Sequence, residues 1–216
     1  LYAGFSESRV RDEHPFLIRQ QNAVYRARAA AAWAAGVDGI YSFNEYNTRV
    51  MYLSQIGDPA KLHRTNNLYF VTYRDYTAHR YLANGNDYFK MPRLSPTPGN
   101  HKKLEPGSLT YTIELGNERA GAEVYLPVWV RGAKEKDLKL SLNGRQASFV
   151  NSVEDGLFIY RVNQSSARSG LNEIKLEYTA ESSADEVELL DLAVFFCRDK
   201  SDVELRELIG ACKSGR

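Results

Sequence analysis

Residues 138–150, LKLSLNGRQASFV, are the stretch on which the fold turns. Leu138, Leu140 and Leu142 alternate with Lys139 and Ser141, the period of a strand with one buried face. Asn143-Gly144 follows at once. This dipeptide suits the two positive-φ positions of a type I′ turn, so residues 147–150 are predicted to fold back as the second strand of a hairpin. Outward from the hairpin, period-two segments separated by polar turns predict strands at 109–115, 123–130, 157–162, 172–178 and 187–196, the pattern of an antiparallel sandwich. In 123–130 both parities are apolar, with Val124, Leu126, Val128 and Val130 on one side and Tyr125, Pro127 and Trp129 on the other. One parity faces the core. The other is then covered by docking onto the first segment, or Trp129 forms an exposed aromatic platform for glycan.

The first segment has a different rhythm. Residues 1–5 read as a strand and 6–14 as a polar, charged loop, and Pro15 opens a helix to residue 35. The run Ala29 to Ala32 supports that helix, and Gly36 stands where a C-terminal left-handed residue is expected. A strand follows at 37–43, with Gly39 marking a close packing point. A short helix is expected at 51–56, a further turn at 59–63 and an extended run at 68–73. Residues 91–106 contain four prolines and form the best linker in the chain. An amphipathic helix is expected at 202–212, with Asp202 as its N-cap. The division is therefore 1–90, a linker at 91–106, a sandwich at 107–199 and a C-terminal helix at 200–216.

Composition narrows the function classes. The 216 residues are 43% hydrophobic and 25% charged, as in a chain that buries a core. Lys plus Arg number 28 against 27 for Asp plus Glu, and the net charge of +1 gives no electrostatic reason to expect nucleic acid or an anionic membrane as a partner. No apolar run reaches the ~18 residues of a membrane-spanning helix. Cys197 and Cys212 are too few for a disulfide scaffold and lack zinc-site spacing, so no metal is expected. No phosphate-binding glycine loop and no G-x-S-x-G elbow occurs, so no nucleotide cofactor and no hydrolytic serine are expected. The chain opens on Leu1, read here as a processed or truncated start.

The stretches NAVYRARAAAAWAAGVDGIYSFNEYN (22–47) and LSQIGDPAKL (53–62) resemble the last helix, eighth strand and closing helix of a glycoside-hydrolase-like (β/α)8 barrel found in uncharacterised bacterial proteins. By that resemblance LYAGF (1–5) is the seventh strand and SESR (6–9) the loop after it. LKLSLNGRQ (138–146), GLNEIKLEYT (170–179) and VELLDLAVFF (187–196) resemble a galactose-binding-like jelly roll. The implied fold is α/β plus all-β: the last strands and helices of a (β/α)8 barrel, incomplete in this chain, followed by an antiparallel β-sandwich. The implied protein is the C-terminal fragment of a glycoside hydrolase acting on a poly- or oligosaccharide, inert by itself, with secreted or periplasmic location. Its partners would be carbohydrate and the remainder of its own barrel. Apolar surface left bare by the missing strands would promote self-association.

Barrel enzymes carry their reacting groups at the C-terminal ends of the strands. Glu7 is thus the candidate catalytic carboxyl, one of the pair that glycoside hydrolysis needs, with Arg9, Asn44, Glu45 and Tyr46 as substrate-binding candidates. The plain alternative for Glu7 is a solvated loop carboxylate, and for Glu45 a structural bond to a neighbouring loop. His14 could close over the site or merely cap the helix. The tyrosines crowded between 41 and 88 suit sugar stacking or interdomain packing, and packing is favoured by their position. The alternative for the whole chain is a non-catalytic glycan-binding or structural module.

Overall fold

The computed structural model describes residues 1–6, 17–43, 52–71, 94, 101–154, 156–180 and 186–199. Strand β1 (Tyr2–Ser6) pairs in parallel with β2 (Gly39–Phe43), and helix α1 (Asn22–Ala34) lies between them in sequence. Short helices α2 (Leu53–Ile56) and α3 (Pro59–Leu62) lead into β3 (Asn67–Phe70). Asp58 caps α3 by accepting from the Ala60 N–H, with Pro59 at its first turn. Then come β4 (Lys102–Lys103), β5 (Gly107–Leu115), β6 (Glu123–Arg131), β7 (Leu138–Leu142), β8 (Arg145–Gln146), β9 (Ser148–Glu154), β10 (Leu157–Val162), β11 (Gly170–Tyr178) and β12 (Glu188–Cys197).

Two antiparallel sheets carry the fold. One runs β3-β12-β6-β10-β9, with β4 also paired to β12, and the other runs β5-β11-β7-β8. Their facing residues form one core. Val124, Leu126, Val128, Leu192, Val194 and Phe196 from the first sheet pack with Ile113, Leu115, Leu140, Leu142, Ile174 and Leu176 from the second. Asn143 and Gly144 have φ of 49° and 76°, so the dipeptide makes the positive-φ turn that joins β7 to the two-residue β8, whereas residues 148–150, expected as the hairpin's second strand, belong to β9 and pair with β10 in the other sheet.

The outer face of the first sheet is covered. Tyr125, Ile159, Ala193 and Phe195 form a second cluster with Ile18, Ala23 and Val24 from the α1 region, and Trp129 and Phe70 pack at its margin. Arg19 reaches across this face to the buried Asp191 and stacks its guanidinium 4.3 Å from the Phe70 ring centre. Of the two readings of Trp129, packing is the one observed.

The barrel expectation is overturned. The described residues are mostly strand in antiparallel sheets, and the parallel pairing is confined to the two-stranded β1-β2 sheet. The sequence between 1 and 43 does encode a β-α-β crossover, but such a pattern is local and does not specify what the helix packs against. Here α1 packs on β3 and β5, the edge strands of the two sheets, and so closes one side of the sandwich. Its alanine run makes this possible. Ala27, Ala29 and Ala30 join the sandwich core, and Gly116 at the end of β5 sits so close that a Cβ there would stand 2.7 Å from the Ala30 carbonyl carbon. The extended run expected at 68–73 is strand β3, and it pairs with β12, the last described strand. The early segment is thus woven into the sandwich. Of the helix expected from Pro15, the described part is a 3-10 turn at Leu17–Gln20 followed, after Gln21 in an extended conformation, by the α-helix from Asn22.

The β1-β2 sheet buries Phe5 against α1 and exposes Tyr2, Tyr41 and Phe43 on the opposite face. The exposed Tyr2 ring lies over Gly39, 2.6 Å from where a Cβ would be, so a larger residue there would push the ring aside. Tyr52 and Tyr69 are buried, the former stacked on Tyr25 with ring centres 4.1 Å apart. Among the described residues no helix is long and apolar enough to cross a membrane. The helix expected at 202–212 lies outside the described residues.

Candidate functional site

Chemistry-bearing side chains gather at one end of the sandwich, where the loop after β5 (116–122) meets the loop after β10 (163–169). Gln164 bridges the two. Its carbonyl accepts from the Gly121 and Ala122 N–H groups at 2.9 and 3.1 Å, and its amide donates to the Arg119 carbonyl at 2.6 Å. The second loop is tied from behind. Asn143 donates to the Ser166 carbonyl and to Asn172 Oδ1, both at 2.7 Å, and Asn172 in turn holds the backbone of Arg168 and Gly170. Asn172 is itself buried. These bonds fix both walls before any ligand arrives.

At the base lies Glu118. Its Oε1 accepts from Asn67 Nδ2 at 2.7 Å and from the Tyr69 hydroxyl at 2.5 Å, and its Oε2 pairs with Arg198 Nη2 at 2.8 Å. Both charged side chains are largely buried. Arg198 also donates to the Thr65 and Arg119 carbonyls, and Asn66 accepts from the Arg198 and Asp199 N–H groups. Burial first, and then the Glu118 carboxylate, hold the Tyr69 phenol well above its ordinary pKa, so it acts as a hydrogen donor. The Oε2–Arg198 pair meets at ion-pair distance without hydrogen-bond alignment, which leaves Glu118 an unused acceptor lone pair.

Two clefts open beside this base and adjoin at Ser169, which lines both. One, of about 390 Å³, is walled by Glu118, Asn163, Gln164 and Arg168 over a floor of Phe196. The other, of about 330 Å³, is walled by Trp33, His63 and Asn117. Each falls in the range of ~300–1,000 Å³ typical of small-ligand sites. Trp33 is half-buried and its indole N–H donates to the Ile56 carbonyl at 2.7 Å, which fixes the ring. Burial, reinforced by Arg119 and Arg198, lowers the His63 pKa, and the nearby Glu118 only partly opposes it. The Asn117 amide, Asn163 Nδ2, the Ser169 hydroxyl and both Nη atoms of Arg168 have no partner among the described residues.

No family model and no curated protein matches the chain. What the site does therefore rests on its chemistry. Glu7, Arg9, Asn44, Glu45, Tyr46 and His14 all lie outside the described residues. The groups at the sandwich end escaped the sequence reading. Their signal was the pair of polar inter-strand loops, GNERAGA and NQSSARS, each longer than the tight Asn143-Gly144 turn and rich in amide and hydroxyl side chains.

Proposed function

We propose that the chain is a non-catalytic saccharide-binding module whose site is the double cleft at the Glu118 end of the sandwich. One observation carries this reading: amide, hydroxyl and guanidinium groups with unused hydrogen-bonding capacity converge on a pre-braced cleft that also presents an indole. A sugar offers alternating hydroxyls, each donor and acceptor, and apolar C–H faces that stack on aromatic rings. Asn117, Asn163 and Ser169 supply the complementary polar groups, and Trp33 the stacking surface.

Binding without turnover is favoured by the carboxyl inventory. Glycoside hydrolysis needs two carboxyl groups flanking the scissile bond. Among the described lining residues Glu118 is the one carboxylate, and it is held by Asn67 and Tyr69 at Oε1 and by the Arg198 ion pair at Oε2. The hydrolytic reading took its scaffold from a barrel that the antiparallel sheets replace.

Calorimetric titration with neutral and acidic oligosaccharides tests the proposal. Saturable binding is expected for at least one class, with affinity falling about 2- to 10-fold in Asn117→Ala and again in Ser169→Ala, the loss of one net hydrogen bond each. Heat without saturation across the panel, or binding untouched by both substitutions, would refute it.

A further inference from the structure

The charges around the cleft are unbalanced. Glu118 is the one acidic side chain among the described lining residues, and Arg198 neutralises it at 2.8 Å. One cation remains among those residues. Arg168 lines the first cleft, exposed, with its Nε anchored on the Leu171 carbonyl at 3.0 Å, and that anchor leaves the two terminal nitrogens of its planar fork without a partner among the described residues. With Glu118 paired internally, Arg168 is the cation that the first cleft presents to solvent.

We infer that the cleft selects acidic saccharides, with Arg168 gripping the carboxylate of a uronic acid through its free Nη pair while Asn163 and Ser169 take the neighbouring hydroxyls. The geometry suits this class. A guanidinium fixed through Nε presents two parallel N–H donors that match a planar carboxylate, and such pairs are stronger and more directional than neutral hydrogen bonds. A lysine in that place would supply charge without the fork. The inference rests on the saccharide-binding reading above and adds the ligand's charge to it.

The probes are hexamers of galacturonate, mannuronate and glucuronate, each titrated as the free acid and as its methyl ester, which keeps the sugar and removes the charge. At least one acid is expected to bind about tenfold or more tightly than its own ester, with an advantage that shrinks as salt is raised. Arg168→Gln should bring the acid-to-ester ratio close to one, and Arg168→Lys should restore it only in part, with melting temperatures recorded to show that both variants fold. Equal affinity for acid and ester, with neutral hexamers also binding, would overturn the charge selectivity and leave the saccharide reading standing. No binding by any acid, ester or neutral hexamer would overturn both. A ratio that persists in Arg168→Gln would remove Arg168 from the role given it here.

Discussion

Glu118 and Arg198 show how a single pair holds the sandwich end together. A buried ion pair adds little beyond what a well-packed apolar pair would, but breaking one is expensive because the remaining charge stays buried without compensation. Glu118→Gln should therefore cost about 3–5 kcal/mol in denaturant-induced unfolding. The double variant Glu118→Gln/Arg198→Met should recover part of that loss, since it removes the stranded cation. Tyr69→Phe tests the same cluster more gently and should cost about 1–3 kcal/mol, the range for a buried acceptor deprived of its donor. His63 gives a pH signature. Its folded pKa lies below its ordinary value, so between the two the unfolded chain binds more protons than the folded one, and stability rises with pH. The neutral imidazole's contribution is complete above about pH 6.5 and is lost as the pH falls through that value toward the lowered one. Thermal melts between pH 7.5 and 5 should show a steeper decline for the wild type than for His63→Gln, and parallel curves would contradict this assignment.

Helix α1 and the inter-strand loops decide the site because they are the elements that reach it. The contact between Ala30 and Gly116 leaves no room for a methyl group, so Gly116→Ala should destabilise by about 1–3 kcal/mol through displacement of α1 from β5. Gly4→Ala, which meets nothing within 4 Å, is the control and should change stability little. Asn143→Ala should loosen the 163–169 loop and weaken saccharide binding without touching the ligand, a change visible as faster amide exchange in that loop. These elements also mark what was legible in the sequence. Strand periods and the Asn-Gly turn are local signals, and they located β5–β7 and β9–β12 to within a few residues but missed the short β8 that takes the place of β9 opposite β7. Where a helix packs is a tertiary property. The alanine run of α1 announced a helix but not its partner, and a crossover pattern that resembles a barrel's last unit instead lies against the sandwich. The site was illegible for the same reason: Glu118 and Arg198 are eighty positions apart in the chain, and nothing near either of them in sequence points to the other.

At the scale of the whole molecule, two sheets and a helix carry a double cleft that is built from the loops of both sheets together with α1 and α3 and braced by hydrogen bonds. Bracing of this kind suits recognition, because a pre-ordered site loses less conformational entropy on binding than a flexible one. The aromatic face of the β1-β2 sheet lies on another element and is the natural internal comparison. The chain has two tryptophans, Trp33 on the cleft and Trp129 on the outer face of the first sheet, so their two indole N–H resonances report separately on the two regions. Titration of the uniformly labelled protein with the uronate and neutral hexamers, followed by amide and indole chemical shifts, is the most direct measurement. We expect the Trp33 indole and the amides of 117–119 and 163–169 to move together in a saturable way while Trp129 stays still. A saturable response confined to Trp129 or to Tyr2, Tyr41 and Phe43, or a silent Trp33 at saturating sugar, would contradict the placement of the site.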